Sequence, residues 1–522
     1  MSLSILVWLP LVIGAFVSQL PARYAGRVSA TLSLLPLGLG IDYLIRFHEH
    51  HAGLQFVTNH VWIGALGIHY KLALTGLNVA MMLLTAVLFT ASLAWSAGRE
   101  IERPGLYYLM FGLAESAVIG AFLCQDLILF VGFFDLMLIP FYFLTGIWGS
   151  ATRTRDERVR ATFELVIYTA IGSFLMLAAA VATGVLSAAD HGTALNFTYT
   201  ALEHNPVSAG SQDWIFLCFA AAFLIKMPVA PFHGWLADVY RAMPIPAVAV
   251  FSGVLSKVAA YGFLAIVLPI FPHASHHFQS LMLLIAVVSL LWSTALAFTT
   301  KDARLVIAYS SIAQLSFITL GIFSLHTEGG QGALLQMVNH GLVTAASFFV
   351  LAAVSARCGG SEQLSDMGGV AFRAPILATM FLIVAMATLA MPGTSNFVGE
   401  FMILLGVFRE SLVIAVIGSL GMIGAAVYAL RLFIGAMHNR AGKSVNSIEL
   451  AWHEAIAIVP LAGVIVALAF YPNFGLLRSD KSVVSTLTPV AIVAGPAAVR
   501  ELLVTPARAG GYVGGQAAVT SP

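Results

Sequence analysis

Six ionisable residues stand inside stretches of the chain that are otherwise apolar: Glu115, Asp135, Lys226, Lys257, His340 and Glu400. A charge in the middle of a membrane-length apolar segment is costly, and by default it marks a functional site. The chemistry these groups share is proton transfer. Burial favours the neutral form of an amine or a carboxylic acid, and a nearby opposite charge reverses that preference. A row of such groups bridged by water can pass a proton, and moving one charge can switch it. The rest of the chain is organised around the stretch 223–238, FLIKMPVAPFHGWLAD. Pro228 and Pro231 follow Lys226 almost at once, and proline breaks a helix and frees carbonyls. At membrane depth such a break is tolerated only where protein or a cavity covers it. His233 and Asp238 close the stretch and either tie the broken helix or carry protons.

Each residue also has a plainer reading. Glu115, Asp135, Lys226 and Lys257 can each be half of a structural ion pair between helices. His340 can simply bond a backbone carbonyl. Glu164 stands four residues after Arg160 near the end of its span, the spacing of a local salt bridge. Arg431 lies near a span end, where its stem can snorkel to the interface.

The elements that must position these groups are membrane helices. The chain has 522 residues, is 59% hydrophobic and 9% charged, and its mean hydropathy is +0.92. No soluble globular domain has this composition, and no polar block is large enough for a separate soluble domain. A 20-residue window finds about fourteen spans between residues 3 and 472. The first lacks a basic leader and a cleavage site, so it reads as a retained helix. Two spans, 213–241 and 374–408, are too long for one straight crossing. Each holds a breaker, Pro228/Pro231 and Pro392-Gly393, so both are expected to be discontinuous.

Arg and Lys cluster in the odd-numbered connections: Arg23, Arg27, Arg99, Arg103, Arg153–Arg160, Arg241, Lys301, Arg304, Arg357, Arg373, Arg440 and Lys443. That face is expected to be cytoplasmic, with both termini external. The external loop before residue 75 contains a candidate hairpin, His60–Leu74. Spans four to eight and nine to thirteen form two sets of five, each with its fourth member broken. Five is odd, so the two sets would be inverted repeats. The expected organisation is three N-terminal helices (1–104), two five-helix repeats (105–268 and 277–437), and a last helix with a polar tail (438–522). The end of that tail, Ala507–Pro522, is Gly/Ala-rich and expected to be disordered.

Other chemistry finds little footing. Net charge is near zero, which gives nucleic acid no purchase. Cys124, Cys218 and Cys358 are isolated, without the spacing of an iron–sulfur or structural zinc site. No phosphate-binding glycine loop sits in a strand–turn–helix context. His48-Glu49-His50-His51 and His273/His276/His277 have metal-like spacing but fall in external loops, and we expect no metal there.

Four stretches carry a family resemblance: DLILFVGFFDLMLIPFYFLTGIWG (126–149), the stretch 223–238, RLVIAYSSIAQLSF (304–317) with GALLQMVNHGL (332–342), and MPGTSNFVGEFMILLG (391–406). In this order the chain resembles the antiporter-like proton-channel subunits of respiratory complex I, the proton-pumping NADH:quinone oxidoreductase. The resemblance runs from the third span to the fourteenth. It implies an all-α fold of about fourteen helices with inverted repeats and a charged axis at the midplane. On that axis Asp135 takes the place of the family's glutamate, paired with Lys226. Lys257 matches the connecting lysine, His340 the NHG histidine, and Glu400 the terminal residue. A glutamate at that last position is typical of subunit M, since subunits L and N usually carry lysine. Three departures stand out: the acid is shortened to Asp135, the family's lysine of the sixth span is Glu164, and a usual histidine is Gln314, which hydrogen-bonds but cannot hold a titratable proton.

The resemblance implies a proton-translocating subunit in a bacterial plasma membrane, with subunits L and N as neighbours. It implies no cofactor in this chain, with NADH, FMN, iron–sulfur clusters and quinone in partner subunits. The same motifs fit a subunit of a multi-subunit Na⁺(K⁺)/H⁺ antiporter or of a membrane-bound hydrogenase. A structural membrane scaffold is the alternative of another class.

Overall fold

The computed structural model describes residues 2–504 apart from 52, 151, 152, 441 and 443. Lys443 and the segment Ala507–Pro522 lie outside the described residues. The chain is a helical bundle. Its helices are α1 (Leu3–Val17), α2 (Ala22–Arg46, bent at Ser33), α3 (Val79–Ala97), α4 (Pro104–Leu123), α5 (Leu127–Trp148), α6 (Arg155–His191), α7 (Ala209–Lys226) and α8 (Leu236–Ala242). They continue as α9 (Ile245–Ile270), α10 (Gln279–Thr299), α11 (Ala303–Phe323), α12 (Thr327–Arg357), α13 (Pro375–Thr388), α14 (Ser395–Glu410), α15 (Leu412–Met437) and α16 (Trp452–Phe470). Among the described residues, twelve helices are long and apolar enough to cross a membrane. The shorter apolar helices α1 and α13 stand where the first and twelfth spans are expected.

Burial separates the helices into an inner and an outer set. Helices α4, α9, α11 and α12 are covered nearly all round, whereas only about a third of the apolar stretch of α6, α15 and α16 is buried. In a membrane protein that exposed apolar surface meets lipid or a partner rather than water. Of the candidate site residues, Glu115, Lys226, Lys257, Gln314, His340 and Glu400 are buried, whereas Asp135, Glu164, His233 and Asp238 are only partly so.

Two helix interruptions lie in the expected stretches. α7 stops at Lys226 and the chain becomes helical again at Leu236. α13 stops at Thr388 and α14 starts at Ser395. Between the latter pair Gly393 has φ of 93°, a conformation glycine adopts without the penalty a Cβ would bring.

The basic connections meet on one end of the bundle. Arg241 lies 3.3 Å and Arg153 3.6 Å from Asp302. Arg304 pairs with Glu362 at 2.5 Å and donates to the Tyr240 and Met243 carbonyls. Arg357 pairs with Glu454 at 2.7 Å, both nearly fully buried. Five odd-numbered connections are thereby tied together, which fixes them to one face.

The opposite face carries the hairpin, which begins earlier than the sequence suggests: β1 (Gln55–Ile63) pairs antiparallel with β2 (Ile68–Leu74). Asp126 joins this face to the bundle. Its carboxylate caps α5 by accepting from the Ile128 and Leu129 amides, and it accepts from the His69 amide at 3.0 Å.

The segment after Tyr471, expected only as a polar tail, is helical up to residue 504. It forms α17 (Asn473–Ala494) and α18 (Pro496–Val504). The buried positions of α17 are Ser479, Ser482, Val483, Thr486, Leu487, Val490 and Ala491, a three–four spacing that marks an amphipathic helix. Small hydroxyl residues on the buried stripe lower its hydropathy and hid the pattern from an apolar window.

The Arg357–Glu454 pair yields a direct expectation. Removing one partner of a buried ion pair leaves an uncompensated charge and costs about 3–5 kcal/mol. Arg357→Ala should lower the thermal midpoint of the detergent-solubilised protein, and Arg357→Ala/Glu454→Ala should recover part of the loss. Equal midpoints for Arg357→Ala and the parent would show that the pair does not stabilise this face.

Candidate functional site

Lys226 is the last residue of α7 and is 4% exposed. Its ammonium lies over the Phe134 ring at 4.4 Å and donates to the Phe134 carbonyl at 3.4 Å. A cation over an aromatic face is attracted by the ring quadrupole, more strongly when desolvated. Phe134 precedes Asp135, yet among the described residues no carboxylate oxygen lies within 4.0 Å of the Lys226 ammonium. Asp135 is half-buried, at the point where α5 is interrupted around Met137, and it accepts a hydrogen bond from the Ser173 hydroxyl of α6. The pair is thus adjacent but open, consistent with an aspartate being one methylene shorter than glutamate.

The break beside Lys226 is satisfied within the protein. The buried Trp235 indole donates to the Ile225 carbonyl at 3.2 Å. The Ala230 amide donates to Ser289 Oγ on α10 at 2.9 Å, and Ser289 Oγ also accepts from Ser316 of α11 at 2.9 Å. Ser252 and Ser256 bond carbonyls of their own helix instead. His233 Nε2 accepts from the Trp292 indole at 3.2 Å, while its Nδ1 has no partner among the described residues. Asp238 lines a small basic cleft with Arg153, Arg160 and Arg241. His233 and Asp238 therefore lie apart from the Lys226 ammonium, one bonded across helices and the other at the basic face. Glu164 accepts from Arg160 at 3.0 Å as a local pair.

Lys257 is fully buried and donates to the Ser252 carbonyl. It stands in a short α-helical stretch, Ser256–Gly262, flanked by two π-helical segments, Phe251–Leu255 and Phe263–Val267. Such wide turns are frequent at functional sites. Next to it α9 crosses α12 at Gly253 and Gly341. A Cβ on Gly341 would sit 2.6 Å from the Gly253 carbonyl, and one on Gly253 3.2 Å from the Gly341 carbonyl. The missing side chains let the two backbones touch, and that contact sets His340, the neighbour of Gly341, beside the helix of Lys257.

Glu400 is buried on α14 within a cluster of amides. Gln314 of α11 donates to Glu400 Oε1 at 2.8 Å, and Gln336 of α12 donates to Gln314 Oε1 at 2.8 Å and to Glu400 Oε1 at 3.3 Å. Asn339 donates to the Ser395 carbonyl at 2.7 Å. Several buried polar atoms around them have no partner among the described residues: Gln336 Oε1, Asn339 Oδ1, His340 Nδ1, Ser395 Oγ, both Asn396 side-chain atoms and Tyr428 OH. Buried polar atoms are ordinarily satisfied, by water where not by protein. Glu115 Oε1 on α4 is likewise unpartnered.

Sequence reasoning singled out neither Gln336, Asn339, Asn396 nor Ser173. A signal was available for two of them, because Gln336/His340 and Asn396/Glu400 are each four residues apart, on one helix face. Ser173 and the π segments left no such trace.

A polytopic helical membrane protein, with helices interrupted beside buried ionisable groups, belongs to the class that moves ions through its own interior. Comparison with known proteins then narrows the class. The model of the family described as "NADH:quinone oxidoreductase/Mrp antiporter, TM" matches residues 124–425. NADH-quinone oxidoreductase subunit M of Escherichia coli K12 is 34% identical over 485 residues, 90% of this chain and 95% of that protein. The subunit M of Rhodobacter capsulatus is 32% identical over 488 residues, 90% and 93%. A chain of respiratory complex I from Thermus thermophilus superposes with a TM-score of 0.83 at 27% identity, covering 93% of this chain and 99% of that one. A chain of the Mrp complex from Dietzia reaches 0.81 at 21% identity, with 95% and 99% covered, a likeness of fold. The chain belongs to the NADH:quinone oxidoreductase/Mrp antiporter membrane-subunit family, and within it stands with the subunit M proteins.

The bond to the helix break supplies the test for this site. Trp235→Phe keeps an aromatic ring, though a smaller one, and removes the donor, leaving the Ile225 carbonyl unpaired at a cost of about 1–3 kcal/mol. Faster hydrogen exchange of the 223–236 backbone, with the rest of the bundle unchanged, is the expected result. Unaltered exchange there would mean that the indole does not hold the break.

Proposed function

We propose that this protein is the proton-translocating subunit M of a bacterial NADH-quinone oxidoreductase, driven by redox chemistry in other subunits. The observation that carries the reading is the set of buried ionisable groups at the two helix breaks, ending at Glu400, in a chain of the subunit M family. Asp135 is the input: when ionised it holds the proton on Lys226, and when neutralised it releases it. The proton then passes by way of Lys257 and His340 to Glu400. Unpartnered polar atoms around His340, Asn396 and Gln336 support water along the second half of this route. Moving one charge against 100 mV requires about 2.3 kcal/mol, which a distant redox reaction can supply.

The helices from α4 to α9 and from α10 to α15 are, in this reading, two inverted repeats around the row. The face of the Arg–Asp302 pairs is cytoplasmic, and the hairpin face and both termini are external, in a bacterial plasma membrane. NADH, FMN, iron–sulfur clusters and quinone belong to partner subunits. Around half-buried Asp135 the apolar side chains of Ile139, Tyr142, Phe143, Phe174 and Leu177 are exposed, which supports a seat for an adjacent subunit of the L or N kind. An Mrp-type antiporter subunit shares the fold, but subunit M relatives at 30% identity or more over 90% of the chain favour the oxidoreductase.

Two experiments test the reading. Asp135→Asn should lower NADH-driven proton translocation at least tenfold in membranes where the complex assembles normally, and Asp135→Glu should retain it. A parental rate in the Asn variant removes Asp135 from the switch. For sidedness, the thiol of Arg155→Cys should resist a membrane-impermeant maleimide in intact cells and react in inverted vesicles. Ready labelling in intact cells would reverse the assigned orientation.

A further inference from the structure

A groove of about 950 Å³ runs down the side of the bundle between α2 and α16, with α3 as its floor and the start of α17 across one end. Its lining is largely apolar: Leu34 and Ile41 come from α2, Leu83 and Val87 from α3, Leu461 and Val464 from α16. Two threonine hydroxyls on it are already spent on α2 carbonyls. Thr31 donates to Arg27 at 2.9 Å and Thr90 to Ser33 at 3.2 Å. From Ile456 to Tyr471 the α16 wall measures roughly 22 Å at the helical rise per residue. Half of a bilayer's hydrocarbon core is about 15 Å. The groove is therefore deep enough for the acyl chains of one leaflet's lipid.

The two ends of the groove differ in charge. At the hairpin end stands Arg478, which faces Glu49 at 3.8 Å and donates to the Phe474 carbonyl at 2.8 Å. At the other end three basic residues gather around the last turn of α3. Arg27 lies four residues before Thr31 and His453 four before Ala457, each on the helix face that lines the groove. Glycines bring the helices together there. A Cβ on Gly26 would sit 3.1 Å from the Ala97 carbonyl oxygen, and one on Gly98 3.4 Å from His453 Cβ. Arg99 follows Gly98, with its guanidinium over the Trp95 ring at 4.5 Å. Arg27 and Arg99 are exposed, and among the described residues no carboxylate oxygen lies within 4.0 Å of either. Glu102 is paired with Arg103 at 3.8 Å and Glu454 with Arg357 at 2.7 Å. Tyr24 and Trp452 at this end are 47% and 75% exposed, as aromatic residues are at a membrane–water interface.

We propose that this groove is a binding site for one anionic diacyl phospholipid, its chains along α3 and its headgroup phosphate between Arg27 and Arg99. A guanidinium meets a phosphate with paired hydrogen bonds and can stack on an aromatic ring at the same time, which Arg99 does over Trp95. Basic pockets between membrane helices recognise anionic headgroups in this way. The charge of Arg478 is met by Glu49, so the headgroup belongs at the Arg27–Arg99 end. A single helix of a partner subunit would cover the apolar walls too, but an apolar helix leaves both guanidinium groups without a counter-charge. The inference is independent of the proton-translocating reading.

The test uses the full chain in its assembled complex, reconstituted in vesicles of phosphatidylethanolamine with a minority of phosphatidylglycerol. The photo-reactive residue p-benzoylphenylalanine stands in place of Leu34, which lines the groove and is 54% exposed. It lies about two helical turns from Arg27. After irradiation, the mass of the chain reads what has been attached. Phosphatidylglycerol should be attached at least threefold more often than its share of the vesicle lipid. Arg27→Gln/Arg99→Gln should abolish that enrichment, and Arg27→Lys/Arg99→Lys, which keeps both charges, should retain most of it. If the substituted chain does not assemble, Val464 on the facing wall carries the photo-reactive group instead. Attachment in proportion to the vesicle composition would mean ordinary surrounding lipid and overturn the proposal. So would enrichment that survives in Arg27→Gln/Arg99→Gln, or a cross-link to another protein chain in place of lipid.

Discussion

A helix that stops inside an apolar layer leaves backbone groups that only the protein itself, or water it encloses, can satisfy. The stop after Lys226 imposes that requirement on the whole first half of the bundle. Trp235 must be buried for its indole to reach the Ile225 carbonyl. Ser289 must face α7 from α10 to receive the Ala230 amide, and Ser316 of α11 must face Ser289. Three helices distant in sequence are thus positioned by one interruption. The same interruption ends α7 at Lys226 and holds the ammonium against the Phe134 ring and carbonyl, next to Asp135. The Phe134 ring that meets the lysine is itself packed against Phe130 and Phe223, and Phe223 against Phe263.

The two ends of the row are built differently. At Asp135 the carboxylate is half-buried and held by a single serine hydroxyl, so a charge arriving from outside the chain can reach it. At Glu400 the carboxylate is buried among amides on two other helices. Between them Lys257 lies on a helix with π turns on either side, pressed onto α12 through the Gly253–Gly341 crossing. A helix with wide turns has carbonyls to spare, and the Ser252 carbonyl takes the Lys257 ammonium. The lysine is thereby bonded without a carboxylate partner.

Much of this was legible in the sequence because it is written in residue types that membranes penalise. An ionisable residue in an apolar span cannot be hidden, so Lys226, Lys257 and Glu400 announced themselves. Proline and Pro-Gly marked the stretches where helices stop. One-sided Arg and Lys marked the face that Asp302, Glu362 and Glu454 tie together. What the sequence did not reveal depends on geometry that composition does not encode. The indole bond to Ile225 spans ten residues through an irregular segment. The π turns have no residue signature. Asp135 and Lys226 are adjacent in the fold, yet a direct pair depends on tenths of a nanometre in side-chain reach. The amphipathic α17 was hidden because its buried stripe is built partly of Ser and Thr, which pack between helices but count as polar.

In the proposed route Gln314 would have a part although it does not titrate. Its Nε2 donates to Glu400 Oε1 while its Oε1 accepts from Gln336, so the amide is oriented and does not rotate freely. An ionised Glu400 is met by two amide donors on one oxygen. A protonated Glu400 needs an acceptor for its new O–H, and Gln336 Oε1 in the same cluster has no donor. A carboxyl group gains a donor on protonation while keeping acceptor capacity, so this arrangement can bond both states without moving a helix. A histidine in place of Gln314 would add a second titrating group and couple its charge to that of Glu400. With the amide, the proposed route would meet a single titrating group, Glu400, in this Gln314–Gln336–Glu400 cluster.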